Sequence, residues 1–120
     1  MKLENQVVSL ESAKKMKELG YKQEGLWWWL YGVQTPHIIS NEFKEDAEYL
    51  RERDDICVAP TVAELGEVLP DWYVSQRLAS NNGWVCYNVE NKLTYPETLG
   101  ETEAEARGEM CLYLLKEGVI

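Results

Sequence analysis

Leu26-Trp27-Trp28-Trp29-Leu30-Tyr31 is a six-residue run of large apolar side chains, closed by Gly25 on one side and Gly32 on the other. No other segment is so apolar. Its length, its aromatic content and its flanking turn formers predict a buried β-strand. The two-residue period of a strand sets Trp27, Trp29 and Tyr31 on one face and Leu26, Trp28 and Leu30 on the other. Both faces need cover. Either helices pack on both sides of the sheet, or one aromatic face is a groove or partner surface.

Upstream, Ser9 caps a helix that carries Leu10, Ala13, Met16 and Leu19 on one face and stops at Gly20. Lys14, Lys15 and Lys17 form its other face, expected to be solvated. Downstream, Gly32–Asn41 holds Pro36 and the single histidine, His37, and can pair briefly with the aromatic strand. Glu42–Asp55 is rich in acids, with Phe43, Ala47 and Leu50 at helical spacing, so it is read as an exposed helix, and 32–55 as a possible insertion or mobile segment.

Cys57-Val58-Ala59 reads as a connector. It leads to Thr61-Val62-Ala63-Glu64, a capping box that opens a short helix ended by Pro70. Trp72–Leu78 and Trp84–Glu90 both alternate and flank Ala79–Gly83, whose asparagines and glycine suit a turn, so Trp72–Glu90 is a β-hairpin. Trp72, Val74 and Leu78 fall on one side of the first arm, and Val85, Tyr87 and Val89 on one side of the second. Leu93–Tyr95 continues the sheet until Pro96. Thr102-Glu103-Ala104-Glu105 is a second capping box, opening a helix that stops at Gly118. Met110–Leu115 is apolar almost all round, so this helix is the most buried and lies across the sheet. Gly108 within it implies close packing against a bulky neighbour, such as a Trp. The fold class is α+β: one domain over 1–120, with a small, mainly antiparallel sheet of three or four strands packed with three or four helices.

The net charge is −9. Met1–Glu24 carries five Lys against four Glu, so the acidic excess lies in the rest of the chain. Such a surface repels phosphate backbones and anionic membranes, which excludes ordinary nucleic-acid binding. Cys57, Cys86 and Cys111 are odd in number and widely spaced, which argues against a disulfide framework and a zinc site and for reduced thiols. The N-terminus lacks a signal-peptide core and no apolar run approaches a membrane span, so the expected compartment is cytoplasmic.

Thr61–Pro70, Glu101–Gly118 and Ser9–Glu24 ahead of an aromatic strand resemble small uncharacterised bacterial proteins carried by prophages and other mobile elements. The likeness covers about half of the chain and rests on caps and core faces. It implies a phage or mobile-element setting, with no mechanism attached.

Motifs for nucleotide, zinc-protease, EF-hand and serine-hydrolase chemistry do not occur, so no cofactor, metal or catalytic residue is assigned. Three readings stand. The first is a non-enzymatic accessory protein that contacts a protein partner or a second copy of itself. Abundant aromatics suit it, with Trp27, Trp28, Trp29, Trp72 and Trp84 as the candidate surface. The second is an acidic DNA mimic that uses Asp46, Glu48, Glu52, Asp54 and Asp55, a row interrupted by Lys44, Arg51 and Arg53. The third is a small enzyme built on Cys57 and His37, the one thiol in a connector and the one imidazole.

Overall fold

The computed structural model describes residues 2–32, 34–40, 54–79, 83–90 and 96–120. Among them are three α-helices, α1 (Leu10–Glu18), α2 (Val62–Val68) and α3 (Glu103–Lys116). Six strands accompany them: β1 (Trp27–Leu30), β2 (His37–Ser40), β3 (Ile56–Val58), β4 (Tyr73–Arg77), β5 (Trp84–Asn88) and β6 (Thr98–Gly100). The α+β class holds, and the strands divide into two antiparallel sheets ordered β2-β1-β3 and β4-β5-β6.

The aromatic run forms β1, the middle strand of the first sheet. Trp28 pairs with Ile39 on one side and Val58 on the other, so it is walled by apolar side chains on its own face. Its neighbour Trp29 points to the opposite face, where its indole N–H donates to Val8 O at 2.8 Å. One sequence reading changes here. Cys57-Val58 is no connector but part of β3, fully buried because both of its faces are covered. The pairing expected of Gly32–Asn41 is present: β2 lies antiparallel to β1 over four residues. The acidic row from Asp46 to Glu52 lies outside the described residues.

The hairpin forms as its alternation predicts, with Tyr73 opposite Asn88 and Arg77 opposite Trp84. A further strand of its sheet lies after Pro96: β6 pairs Leu99 with Val85. Leu93–Tyr95 lies outside the described residues.

α3, rather than the tryptophan strand, is the hub. It packs on β4, β5 and β6 and on both other helices, and seven of its residues are buried. Its cap departs from the expected box. Thr102 Oγ1 accepts from Glu105 N at 3.1 Å, but the Glu105 carboxylate turns to the start of α1. There it accepts from Ser9 N and Ser9 Oγ, each at 3.0 Å, and from Ser12 Oγ at 2.7 Å. One carboxylate thereby satisfies free donors at a helix N-terminus, where negative charge is favoured, and joins α1 to α3. At α2 the box closes as read, with Thr61 N donating to Glu64 Oε1 at 3.0 Å and Glu64 N to Thr61 Oγ1 at 3.2 Å.

The lysine face of α1 is only partly solvated. Lys17 Nζ donates to Ile56 O at 2.7 Å, and Lys14 Nζ lies 4.3 Å from the centre of the Tyr31 ring. Long stems let these cations lie along the sheet while α1 covers it.

Gly108 is buried and faces Val8, not a tryptophan. A Cβ there would lie 3.0 and 3.3 Å from the two Val8 methyl carbons. Val8 has no room to retreat, because its N–H donates to Pro60 O at 3.0 Å and its carbonyl receives the Trp29 indole. Helix propensity favours alanine by about 1 kcal/mol. Overpacking of a pinned neighbour costs about 1–3 kcal/mol. Gly108→Ala is therefore expected to be net destabilising in urea unfolding, and an unchanged or raised midpoint would show that Val8 yields.

Candidate functional site

The second sheet has two unlike faces. Tyr73, Ser75, Cys86 and Trp84 turn toward α3, as shown by Arg107 Nε donating to Ser75 Oγ at 2.9 Å and by Thr98 Oγ1 donating to Ala106 O at 2.7 Å. Alternation then sends Val74, Val85, Tyr87 and Leu99 to the other side, away from the helix that covers the sheet, where Val85 is buried and the exposed residues lie around it. Trp72 and Val89 extend that side, joined by Val89 N donating to Trp72 O at 2.9 Å. Trp72 is 46% exposed, Val89 48% and Leu99 59%. This is an apolar patch on an outward face, and acids stand beside it in sequence at Asp71, Glu90 and Glu97, all exposed.

The five tryptophans proposed for a surface are not in one place. Trp28 is 1% exposed and belongs to the core, which removes it from any contact surface. Trp27 and Trp29 are partly buried in the first sheet, and Trp29 is held by its bond to Val8. Trp72 lies on the outward patch. Trp84 looks the opposite way, into a cleft.

That cleft has a volume of about 680 Å³ and lies between the beginnings of α2 and α3, the N-terminal turn around Asn5, and the Arg77–Trp84 end of the hairpin. Arg77 and Trp84 are directly opposed in the ladder and so share a face. On the helix side Glu103 Oε2 accepts from Ser75 Oγ and lies 3.5 Å from Arg107 Nη2, while Arg107 Nη1 donates to Val62 O at 3.3 Å. No known protein family, characterised protein or solved structure matches this chain. What the molecule can do must be taken from these surfaces.

Sequence reasoning passed over the cleft. Arg77 reads as a polar position of an alternating strand and Glu103 as a first-turn acid. The hairpin register that opposes Arg77 and Trp84 was the available signal. What no spacing revealed is that the start of α3 meets that end of the hairpin.

The cysteine–histidine reading fails on geometry. His37 pairs with Leu30, and Leu30 with Ile56, so these three share one face of the first sheet. Cys57 pairs with Trp29 and points to the other face, with β1 standing between the two strands. His37 is exposed, its Nδ1 3.2 Å from Thr35 O. All three thiols are free and buried. Burial pushes Cys57 up to about 11 despite the opposing pull of Lys17 and Lys14. A buried, protonated thiol is a poor nucleophile. Among the described residues, no cluster of three His, Cys, Asp or Glu side chains is placed to hold a metal ion, and no helix is long and apolar enough to cross a membrane.

Proposed function

We propose that this chain is a non-enzymatic accessory protein of phage or mobile-element origin, working in the cytoplasm by binding another protein through the outward face of its second sheet. The observation that supports this is the patch of Trp72, Val74, Tyr87, Val89 and Leu99, turned away from α3 with its largest side chain half exposed. A rigid sheet face carrying a tryptophan is the sort of surface on which a few side chains dominate affinity.

The partner's chemistry follows from charge. A second copy would bring Asp71, Glu90 and Glu97 against the same acids, and the chain as a whole carries −9. Like-charge juxtaposition costs several kcal/mol at an interface. The fitting occupant is a different protein, apolar at the centre of its contact and basic at the rim.

Sedimentation is expected to show a monomer at micromolar concentration. A photoreactive residue at position 72, 89 or 99, but not at 116, should label one defined protein from the host. Trp72→Lys should abolish that labelling from positions 89 and 99 while costing at most about 1 kcal/mol of stability, since the site is half exposed. Labelling of the chain's own second copy, labelling indifferent to Trp72→Lys, or a labelled surface without basic residues would each defeat the proposal.

A further inference from the structure

We propose that the cleft beside Trp84 is a binding site for a short neutral saccharide, independent of the outward sheet face. Its volume of about 680 Å³ falls within the range of roughly 300–1,000 Å³ usual for small-molecule sites. The lining decides the class of ligand.

Trp84 is partly buried and packed on the core while still lining the cleft, so its ring is a fixed platform rather than a mobile surface group. Around it stand further donors and acceptors. Among the described residues, no hydrogen bond or ion pair engages the Arg77 guanidinium, the Trp84 indole N–H, the Asn5 side-chain amide or the Glu101 carboxylate. Glu103 is anchored through Oε2 by Ser75 and Arg107, which leaves Oε1 as an acceptor held in place by its own support. Thr102 has a hydroxyl that accepts from Glu105 N and retains its own proton to donate.

Formal charge cancels across this group. Arg77 lines the same cleft as Glu101, and Glu103 is paired at 3.5 Å with Arg107 behind the lining, so neither an anion nor a cation gains a large net attraction, and the overall −9 disfavours phosphates. A neutral ligand that both donates and accepts at closely spaced positions uses this lining best. A pyranose does so: its hydroxyls each donate and accept, matching a lining that holds both a guanidinium and carboxylates. Its face of C–H groups covers an indole ring without needing polar partners there.

The test is titration of glucose, galactose, N-acetylglucosamine and maltotriose into the intact chain. The indole N–H resonance of Trp84, assigned by its disappearance in Trp84→Phe, reports binding. At least one saccharide should shift it saturably. Arg77→Ala and Glu101→Gln, both at exposed positions, should each weaken that binding by about tenfold or more without lowering the melting temperature. Trp72→Lys should leave it unchanged, which separates this site from the protein-binding face. Absence of a saturable shift with all four sugars, unchanged affinity in Arg77→Ala, or saturation by adenosine or inorganic phosphate instead would overturn the assignment.

Discussion

Trp28→Ala is expected to lower the unfolding free energy by about 3–5 kcal/mol, the cost of a large cavity in a packed core. For a chain of this size such a loss shifts the thermal midpoint by about 10–20 °C, and it is a large share of the roughly 5–15 kcal/mol that holds a domain folded. Trp28 is 1% exposed, flanked in the ladder by Ile39 and Val58, and the surrounding strands leave little freedom to collapse. One feature sets it apart from Trp29. Among the described residues its indole N–H is buried with no hydrogen-bond partner, a condition that costs about 1–3 kcal/mol.

Phenylalanine removes that orphan donor together with part of the ring. Trp28→Phe should therefore cost clearly less than Trp29→Phe, which loses the 2.8 Å bond to Val8 O and frees the chain entering α1. Urea unfolding of both variants against the parent checks this order. Equal losses, or a larger loss at position 28, would mean that the volume of the Trp28 ring outweighs its unsatisfied N–H.

Local chemistry explains what the sequence made legible. Ser9, Thr61 and Thr102 each cap a helix where their spacing placed them, and Gly20 and Gly118 end helices with positive φ of 93° and 71°. These signals need only neighbouring residues. The hairpin register was equally local. Three features were not legible, and each depends on residues far apart in the chain. β3 is too short to show alternation, and its strand character comes from pairing with β1. Glu105 occupies a capping-box position, yet its carboxylate does more at Ser9 and Ser12 of another helix than at its own. The apolar side of the hairpin was visible, but α3 packs on the opposite side, because Ser75, Arg107 and Glu103 form a bonded set there. That choice leaves Trp72 outside and directs Trp84 into the cleft.

Raising the pH above 9 should unfold the protein, through its cysteines. Burial pushes Cys57 and Cys86 from 9.0 up to about 11, and Cys111 up to about 12. Below pH 9 each thiol is protonated in both states, so it contributes no pH dependence. Above 9 the unfolded chain releases its thiol protons while the folded chain keeps them, and the unfolded state then binds fewer protons. Stability accordingly falls with pH and levels only once the folded thiols ionise, near 11 to 12. Each tenfold difference in proton affinity is worth about 1.4 kcal/mol, so every thiol contributes roughly 2–4 kcal/mol over this window. Three together reach the scale of the whole folding free energy. The buried Tyr21 hydroxyl, also raised by burial, acts in the same direction at still higher pH. Urea midpoints measured from pH 7 to 11 should be flat to about 9 and then drop steeply. Cys111→Ala should lower the plateau, for its lost sulfur, yet flatten the alkaline slope, because burial alone sets that thiol's shift. At pH 8 a thiol-alkylating reagent should leave all three residues unmodified until denaturant is added. A steady midpoint through pH 11, or ready labelling of Cys57 in the folded protein, would mean that these sulfurs see water.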